Sequence, residues 1–494
     1  MESPYSIRLA CTIGLAVLFN LIFWQEKVGI NLPVFSFLIM AALLLLEKNA
    51  IRTPAVWLSG LGSLLTGGLV VLHHSDTAVV VHILSMLLFV GFAHQPALRT
   101  VFHGFANGIS NLILASLNFM KQFEWVKKHA PGMQKLQAVL RVSLWPVLAL
   151  VVFFFIFFFA NPRFALFSSI LTHELGLWLG QFSLLRSGFF ILGLFLCFGL
   201  LYAQNVQGLL QHDLAQGNQL SRLRRQKRVR FPLLGLKKEY QTAFLLVALV
   251  NVLLLINNLI DIRWIWIDFQ KPDEMSLRQF VHEGTWLLIF SILLSMGIML
   301  YYFRGNLNFF KQNRTLKWLS YTWIVQNVIL VISVGLRNVH YITYHGLAYK
   351  RIGVFFFLLL TLFGLATLFL KIRDRMSMFY LFRTNGWAVY AIAICLALVN
   401  WDSFIAKHNL TRSYSSSLDT VFLLSLSDKT LPLLIENVDQ AEARLSAKGQ
   451  QEKFFLYRHA LEEKADAFLG EQSSYTWLSW NWAEAKAVRY LQEK

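Results

Sequence analysis

Long apolar runs recur along the chain, and they constrain its fold more than any other feature. A helix needs about 20 apolar residues to cross the hydrocarbon core of a bilayer. Eleven runs reach or approach that length: residues 8–24, 28–46, 54–72, 77–95, 142–160, 187–204, 242–262, 284–302, 319–336, 352–370 and 386–401. The sequence therefore predicts an all-α fold, a polytopic transmembrane helix bundle of about eleven spans with a small extracytoplasmic helical C-terminal tail.

The charged residues are few and mostly basic. Of the 494 residues 15% are charged, whereas a soluble domain averages about 25%. The net charge of +18 could suggest nucleic acid, but the basic residues lie in short patches between apolar runs, where they orient spans and meet anionic lipid. We therefore expect the lipid bilayer as a partner and no nucleic acid. The patch "RLRRQKRVR" at 222–230 is expected to contact anionic lipid, with docking of a protein partner as the alternative.

The distribution of Lys and Arg predicts the orientation of the chain. If the N-terminus is cytoplasmic, most basic residues before the tail lie in loops on the cytoplasmic side. The positive-inside rule then favours a cytoplasmic N-terminus and, with eleven spans, an extracytoplasmic tail. We divide the chain into a four-span segment 1–95, a cytoplasmic amphipathic connector 96–141, a seven-span core 142–401 and the tail 402–494.

Three segments outside the spans have patterns of their own. Residues 98–122 space their apolar positions as a helix with one polar face, which predicts a cytoplasmic helix lying along the membrane. Residues 164–185 are expected to form an interfacial or re-entrant helix. In the tail, Trp477, Trp480 and Trp482 favour the membrane interface and a packed core equally.

No pattern in the sequence predicts a metal or a cofactor. The pairs His173–Glu174 and His282–Glu283 begin like a zinc-protease motif, but that motif needs a second His at i+4, where this chain has Leu177 and Trp286. The sequence has neither a Gly-rich phosphate loop nor a Gly-x-Ser-x-Gly elbow. We therefore expect neither metal nor cofactor, and the sequence leaves open whether the protein is an enzyme.

Polar residues inside the spans form a candidate intramembrane path. Asn251, Asn258 and Asp261 share one helical face by their spacing, and Gln326 and Asn327 lie in the middle of another span. Polar groups are costly in lipid and therefore face a bundle interior or a water-filled cavity. They indicate either hydrogen bonds that hold helices together or a path for a substrate or ion.

Charged residues also collect at the predicted outer ends of the last five spans. The stretch "RNVHYITYHGLAYKRIGV" at 337–354 is basic, against the orientation bias, and acidic residues lie at the same membrane level. Either these acids simply neutralise the bases, or an outward-facing polar pocket binds an anionic group such as phosphate or carboxylate. The candidate pocket residues are Asp261, His282, Glu283, Arg337, Asn338, His340, Tyr341, Tyr344, Lys350, Arg351, Asn400 and Asp402.

The stretch "NWDSFIAKHNLTRSYSSSLDTVFLLSLSDKTLPLL" that begins at Asn400 resembles a family signature. It is similar to the closing motif of domain of unknown function 4173, an uncharacterised bacterial family of polytopic membrane proteins related to domain 4153. The resemblance covers roughly residues 240–435, and it departs where Leu426–Asp428 lack a spacer and where His345 is inserted. It implies a multi-pass protein of the bacterial cytoplasmic (inner) membrane, a cell-envelope protein, and carries over no reaction.

Two functions follow as hypotheses. The protein handles an anionic lipid, glycolipid or small solute at the outward-facing pocket, or it is a non-catalytic scaffold or signalling partner that acts through its tail and basic loop. A carrier predicts that Asn251, Asn258 and Gln326 are accessible to water. A scaffold predicts that they are packed and dry.

Overall fold

The computed structural model describes residues 4–117, 183–203, 206–222, 235–267, 277–412, 418–447 and 449–493, with isolated residues between 142 and 168. The side chains of 4–6, 116–117 and 277–283 lie outside the described part. So do about half of the predicted span 142–160, most of the predicted interfacial helix 164–185, and residues 223–230 of the basic patch. The regular elements within these ranges are helices, joined by one isolated β-bridge between Gln219 and Met376.

Six helices pack around a first apolar core. They are α1 (Pro4–Phe23), α2 (Asn31–Leu46), α3 (Pro54–His73), α4 (Asp76–His94), α5 (Val101–Leu117) and α6 (Leu184–Leu201). Pro54 opens α3, and the hydroxyls of Ser75 and Ser183 cap α4 and α6 by accepting backbone N–H groups. Phe89 and Phe198 are buried in the core that these helices share. We call this group the first unit.

A short helix leads to a second group of helices with its own core. The helices are α7 (Gln207–Ala215), α8 (Leu236–Asp261), α9 (Leu277–Tyr302), α10 (Arg314–His345), α11 (Tyr349–Asp374) and α12 (Met378–Ala397). Helices α8, α9, α10 and α11 surround a core that contains Trp323 and Phe303, and we call them the second unit. Helix α12 packs on α11 and also on α3, α4 and α5, so it joins the two units.

In the part of the tail that the structure describes, six α-helices surround a third apolar core. They are α13 (Trp401–Thr411), α14 (Thr420–Leu424), α15 (Leu431–Glu436), α16 (Val438–Ser446), α17 (Gln451–Gln472) and α18 (Trp482–Glu493). Their core includes Tyr457 and Phe468, and it extends into the membrane bundle through Leu347 and Ile352. The side chains of Trp477, Trp480 and Trp482 are exposed, that of Trp477 by 72%, so they do not belong to this core.

The contacts define two ends of the bundle. At one end, which we call the tail end, Ile30 N–H donates to Trp480 O at 3.0 Å and Lys429 Nζ donates to His74 O at 3.1 Å. At the opposite end, which we call the far end, Arg8 forms an ion pair with Glu47 at 2.7 Å. The loops after α1, α3 and α10 thus share one end with the tail, as the predicted topology requires. That this end is extracytoplasmic stays a prediction.

The polytopic helix bundle predicted from the sequence is confirmed. Among the described residues, seven helices are long and apolar enough to cross a membrane: Pro54–His73, Asp76–His94, Leu236–Ile267, Gly284–Tyr302, Arg314–His345, Tyr349–Asp374 and Met378–Ala397. Shorter apolar helices cover Ile7–Phe23, Asn31–Leu46, Val101–Ala115 and Leu185–Leu201. Three of the four shorter helices coincide with predicted spans, and the fourth is α5.

Helix α5 differs from the surface helix that the sequence predicts. It packs on α4 and α6, and a Cβ atom on Gly91 of α4 would collide with Gly104 O. The polar face, with Asn107 and Asn111, is buried, whereas the apolar Phe102 is 71% exposed. A helix lying along a membrane buries its apolar face in lipid and turns its polar face to water. The reversed arrangement fits a helix inside the bundle, since polar side chains there are shielded from lipid by neighbouring helices. The cytoplasmic location of 96–141 stays a prediction.

Candidate functional site

A buried ion pair joins the second unit near the tail end. Arg337 Nη2 of α10 lies 2.6 Å from Asp261 Oδ1 at the end of α8, with 8% and 3% of their side chains exposed. Beyond Asp261 the chain forms a π-helical turn, Ile262–Ile267, whose Ile265 O lies 3.1 Å from His340 Nε2. The charges of Arg337 and Asp261 therefore neutralise each other inside the protein. A buried ion pair is tolerated when its geometry is good.

The stretch at 337–354 is helical except at its centre. Helix α10 continues to His345, and α11 begins at Tyr349. With 32 residues, α10 is about 48 Å long, more than the ~30 Å hydrocarbon core. One end of α10 must therefore extend beyond that core, and the loop at 346–348 follows its C-terminal end.

Arg351 organises this loop. Its guanidinium lies 4.4 Å from the ring centroid of Tyr341 and donates to Gly346 O, and Asn338 Nδ2 donates to Arg351 O at 2.9 Å. Gly346 has φ +80°, and a Cβ there would lie 2.7 Å from Asn409 Oδ1. Only glycine adopts such a conformation at little cost. Glycine at position 346 therefore allows the backbone of this loop to lie against Asn409 of the tail.

Two further contacts clamp the tail to this end of the bundle. The side chain of Asn409 accepts from Leu347 N–H at 2.7 Å and donates to Leu347 O at 2.9 Å. Asp402 pairs with Lys429 at 2.7 Å and accepts hydrogen bonds from Tyr349 and Ser427. Asp402 is thus a structural acceptor at the start of α13.

A cavity of about 760 Å³ with polar and apolar residues in its wall lies between the adjoining ends of α10 and α11, at His345 and Arg351, and the tail. We call it the junction cavity. Its ionisable lining residues are His345, Arg351, Asp419, Lys453, His459 and Glu463, with Tyr457 beneath them. Asp419 accepts from Phe422 N–H, and His459 Nδ1 lies 3.6 Å from Glu463 Oε1. Ligand pockets typically have volumes of about 300–1,000 Å³ and a few convergent polar groups. A cavity of this size with Arg351 and Lys453 in its wall can hold a small anionic group.

The structure divides the predicted pocket residues into groups. Arg337 lies with Asp261, Arg351 lies with Tyr341 and Asn338, and Asp402 lies with Lys429. Asn400 caps α13 by accepting from Ser403 N–H, while Tyr344 and Lys350 are exposed. The side chains of His282 and Glu283 lie outside the described residues, but a Cβ on the neighbouring Gly284 would lie 3.3 Å from Arg337 Nη1. Of the predicted set, Arg351 lines the junction cavity.

The predicted intramembrane path lies along the contact of α8 with α10. Gln326 Nε2 donates to Asn251 Oδ1 at 2.8 Å, and Asn258 Nδ2 donates to Gln326 O at 3.0 Å. Asn327 Nδ2 donates to Trp323 O of its own helix at 2.8 Å. All four predicted side chains are buried. The hydrogen bonds of Asn251, Asn258 and Gln326 therefore tie α8 to α10, whereas that of Asn327 stays within α10.

Glu484 is a docking residue that the sequence reasoning missed. It lies 2.7 Å from His74 Nδ1 and 3.3 Å from Lys27 Nζ, which belong to loops of the first unit. Burial raises the pKa of Glu484, but the hydrogen bond and charge of His74, the hydrogen bond from Asn481 and the charge of Lys27 together lower that pKa to about 2. His74 and Lys27 are far from Glu484 in sequence, so no local pattern indicates this contact. This contact fixes α18 to the bundle.

The fold and the junction cavity define a class, a polytopic helical membrane protein whose helical tail docks on the ends of its spans. The chain belongs to the family described as "Domain of unknown function (DUF4153)", whose model matches residues 34–437. The sequence resemblance put the related domain 4173 first and began near residue 240. The family match corrects both points. No curated protein matches the chain, and no solved structure matches it.

Proposed function

We propose that this protein binds an anionic group, carried by a lipid, a glycolipid or a small solute, in the junction cavity. The observation that carries the proposal is the position of Arg351 and Lys453 in the wall of a preformed 760 Å³ cavity, beside His345 and His459. Cationic side chains of this kind form charge-assisted hydrogen bonds with phosphate and carboxylate. The positive-inside bias supports a location on the outer face of a bacterial inner membrane, with a cytoplasmic N-terminus.

The walls of the junction cavity are held by contacts on both sides. Arg351 is fixed by Tyr341 and Gly346, and Asn409 ties the preceding loop to the tail. Lys464 pairs with Asp428 at 3.3 Å and donates to Leu424 O at 2.7 Å, which holds α17 against α14. A site that is already formed loses less conformational entropy when a ligand binds. The docked tail is therefore part of the proposed site.

Lys453→Ala is expected to weaken binding of an anionic lipid about tenfold, since removing one charge-assisted contact costs about 1.5 kcal/mol or more. The measurement is native mass spectrometry of the detergent-solubilised protein titrated with phosphatidylglycerol and, separately, phosphatidylcholine. Wild type should prefer phosphatidylglycerol, and the variant should lose that preference. Lys486→Ala is the matched control, because Lys486 is exposed on the tail and does not line the cavity. Equal preference in wild type and Lys453→Ala would contradict the proposal.

A second candidate function, a polar path through the bundle, is favoured by one observation. Asn258 Oδ1, Asp261 Oδ2, Gln326 Oε1 and Asn327 Oδ1 are buried without a hydrogen-bond partner in the described part of the chain. Such acceptors are costly in an apolar interior unless water or a ligand reaches them. The path would then run along the contact between α8 and α10.

Cysteine substitution distinguishes the path from binding at the cavity alone. Cysteines at 251, 258 and 326 are treated with a membrane-impermeant thiol reagent in the background Cys11→Ser, Cys197→Ser, Cys395→Ser. If binding is confined to the junction cavity, the cysteines at 251, 258 and 326 should stay unlabelled, because these positions are buried against neighbouring helices. Labelling at 251 and 326 would establish the path instead.

A further inference from the structure

An apolar groove lies where the first unit meets the second, on the face of α12. It has a volume of about 540 Å³ and is walled by Leu84 and Leu88 of α4, Met296 and Leu300 of α9, and Leu368 of α11. The one amide in the wall is Asn385, whose Nδ2 donates to Thr367 Oγ1 at 2.9 Å and to Leu381 O at 3.0 Å. The groove therefore offers an occupant an almost purely apolar surface.

The groove has a polar mouth at the far end of the bundle. A second cavity of about 330 Å³ shares the lining residues Phe102, Met378 and Phe382 with the groove, so the two adjoin each other. The second cavity adds the polar side chains of Thr100, His103, His212 and Gln216. Amphiphiles have this same division, with an apolar chain attached to a hydrogen-bonding head.

The charged groups around the mouth are paired with one another. His103 Nδ1 lies 2.7 Å from Asp213 Oδ2, and Arg99 Nε lies 2.8 Å from Asp213 Oδ1. The ring of His212 contacts that of His103 edge to face at 5.4 Å and is itself exposed. The exposed His212 and Gln216 can therefore meet a polar headgroup while Asp213 stays neutralised by Arg99.

The dimensions of the groove select one kind of occupant. Its lining along α12 runs from Met378 to Ala393, about 22 Å at the rise of an α-helix. Even the whole empty space between the walls, about 1370 Å³ with the open side included, gives over that length a mean cross-section of about 62 Å². A helix with its side chains is at least ~10 Å wide, or about 80 Å² in cross-section. The groove is thus too narrow for another helix and wide enough for a single hydrocarbon chain.

We infer that the groove holds one acyl chain of a phospholipid, with the headgroup at His212 and Gln216. The open side of the groove faces the apolar environment of the spans, since Phe382 and Val389 on its rim are exposed by 66% and 52%. One leaflet of the hydrocarbon core is about 15 Å thick, so a chain that enters at the far end fits within the length of the groove. This site is separate from the junction cavity and does not depend on the proposed function.

The test uses the full-length protein in vesicles of phosphatidylcholine that carries a diazirine in the middle of one acyl chain. After irradiation, labelled peptides are identified by mass spectrometry. Labelling of residues 101–105 and 378–393 is expected to exceed, about fivefold or more, that of the exposed apolar face of α8, which includes Leu245 and Leu253. Labelling in proportion to exposed area would mean ordinary boundary lipid and would overturn the inference.

A filling substitution provides the second arm. Gly386→Leu places a side chain in the groove, because Gly386 lines it, whereas Gly353→Leu is the matched control at a glycine with no atom within 4 Å of a built Cβ. Labelling of 378–393 should fall at least about fivefold in Gly386→Leu and stay at the wild-type level in Gly353→Leu. Val389→Trp, at an exposed rim position, gives the same readout if Gly386→Leu does not fold. Undiminished labelling in the folded filling variants overturns the inference, and Lys453→Ala should leave this labelling unchanged.

Discussion

Replacing Arg337 by Leu is expected to lower the free energy of unfolding by about 3–5 kcal/mol, because it leaves the Asp261 carboxylate buried without its cation. The two side chains are 2.6 Å apart, and each is almost wholly removed from solvent. Asp261 has no alternative in the described part of the chain, since its second oxygen, Oδ2, is buried without a hydrogen-bond partner. The measurement is unfolding of the purified protein in mixed micelles, followed by circular dichroism.

The double variant Asp261→Leu, Arg337→Leu is expected to recover most of this loss. Replacing both charges removes the desolvation cost together with the attraction, so a hydrophobic pair of similar volume is often neutral or better. Arg458→Leu is the surface control, since Arg458 pairs with Glu462 at 3.3 Å while both side chains are more than 60% exposed. Such exposed pairs contribute about 0–1 kcal/mol. A loss in Arg337→Leu no larger than in Arg458→Leu would contradict a structural role for the buried pair.

The stability of Arg337→Leu also decides between the two interpretations of the basic stretch at 337–354, which are neutralisation by nearby acids and binding of an anionic ligand. If Arg337 served an anionic ligand, its substitution would abolish binding and leave stability unchanged. A large loss of stability that the double variant restores assigns Arg337 to the bundle. Arg351 and Lys453, which line the junction cavity, then remain as its cationic residues.

The spans were predictable because apolar length is a local property of the sequence. The run at 54–72 corresponds to Pro54–His73, and the run at 284–302 lies within Leu277–Tyr302. The reversal of α5 was not predictable in this way. Periodicity shows that Asn107 and Asn111 share one face of the helix. The same pattern fits a helix on the membrane surface that turns this face to water and a helix inside the bundle that turns this face to its neighbours. The close packing of Gly91 on Gly104 decides between them, and it is a contact between two helices that the periodicity of either one does not show.

The sequence predicted where the charged residues of the candidate site lie better than it predicted which of them pair with one another. The sequence placed Asp261, Arg337 and Asp402 at one membrane level, and the structure brings them to the same end of the bundle. The partner of Asp402 is Lys429, which lies beyond the last span in a segment that pattern alone describes only as helical. From the sequence pattern alone, Lys453 and His459 belong to the solvated face of an amphipathic helix. The structure shows that they line the junction cavity together with Arg351.

Docking of the tail is expected to weaken in acid, and Glu484→Gln is expected to remove most of that dependence. The pKa of Glu484 is about 2 against an ordinary value of 4.5, because the bonds and charges of its partners outweigh its burial. A carboxyl group with a lowered pKa stabilises the folded state fully above its unfolded pKa and loses that contribution as pH falls towards its folded pKa. The contribution at neutral pH is therefore about 3 kcal/mol, and it disappears between pH 4.5 and pH 2.

Limited proteolysis of the tail between pH 7 and pH 2.5, with an acid-tolerant protease, measures this docking. Wild type should resist cleavage near residues 470–480 at pH 7 and become sensitive below pH 4.5, whereas Glu484→Gln should be sensitive throughout. Glu462→Gln is the matched control, since Glu462 is 66% exposed on the same tail. His74→Ala should resemble Glu484→Gln, because it removes the nearest partner at 2.7 Å. If Glu484→Gln keeps the wild-type resistance at pH 7, α18 is held by its apolar contacts and the ion pair to His74 and Lys27 is incidental to docking.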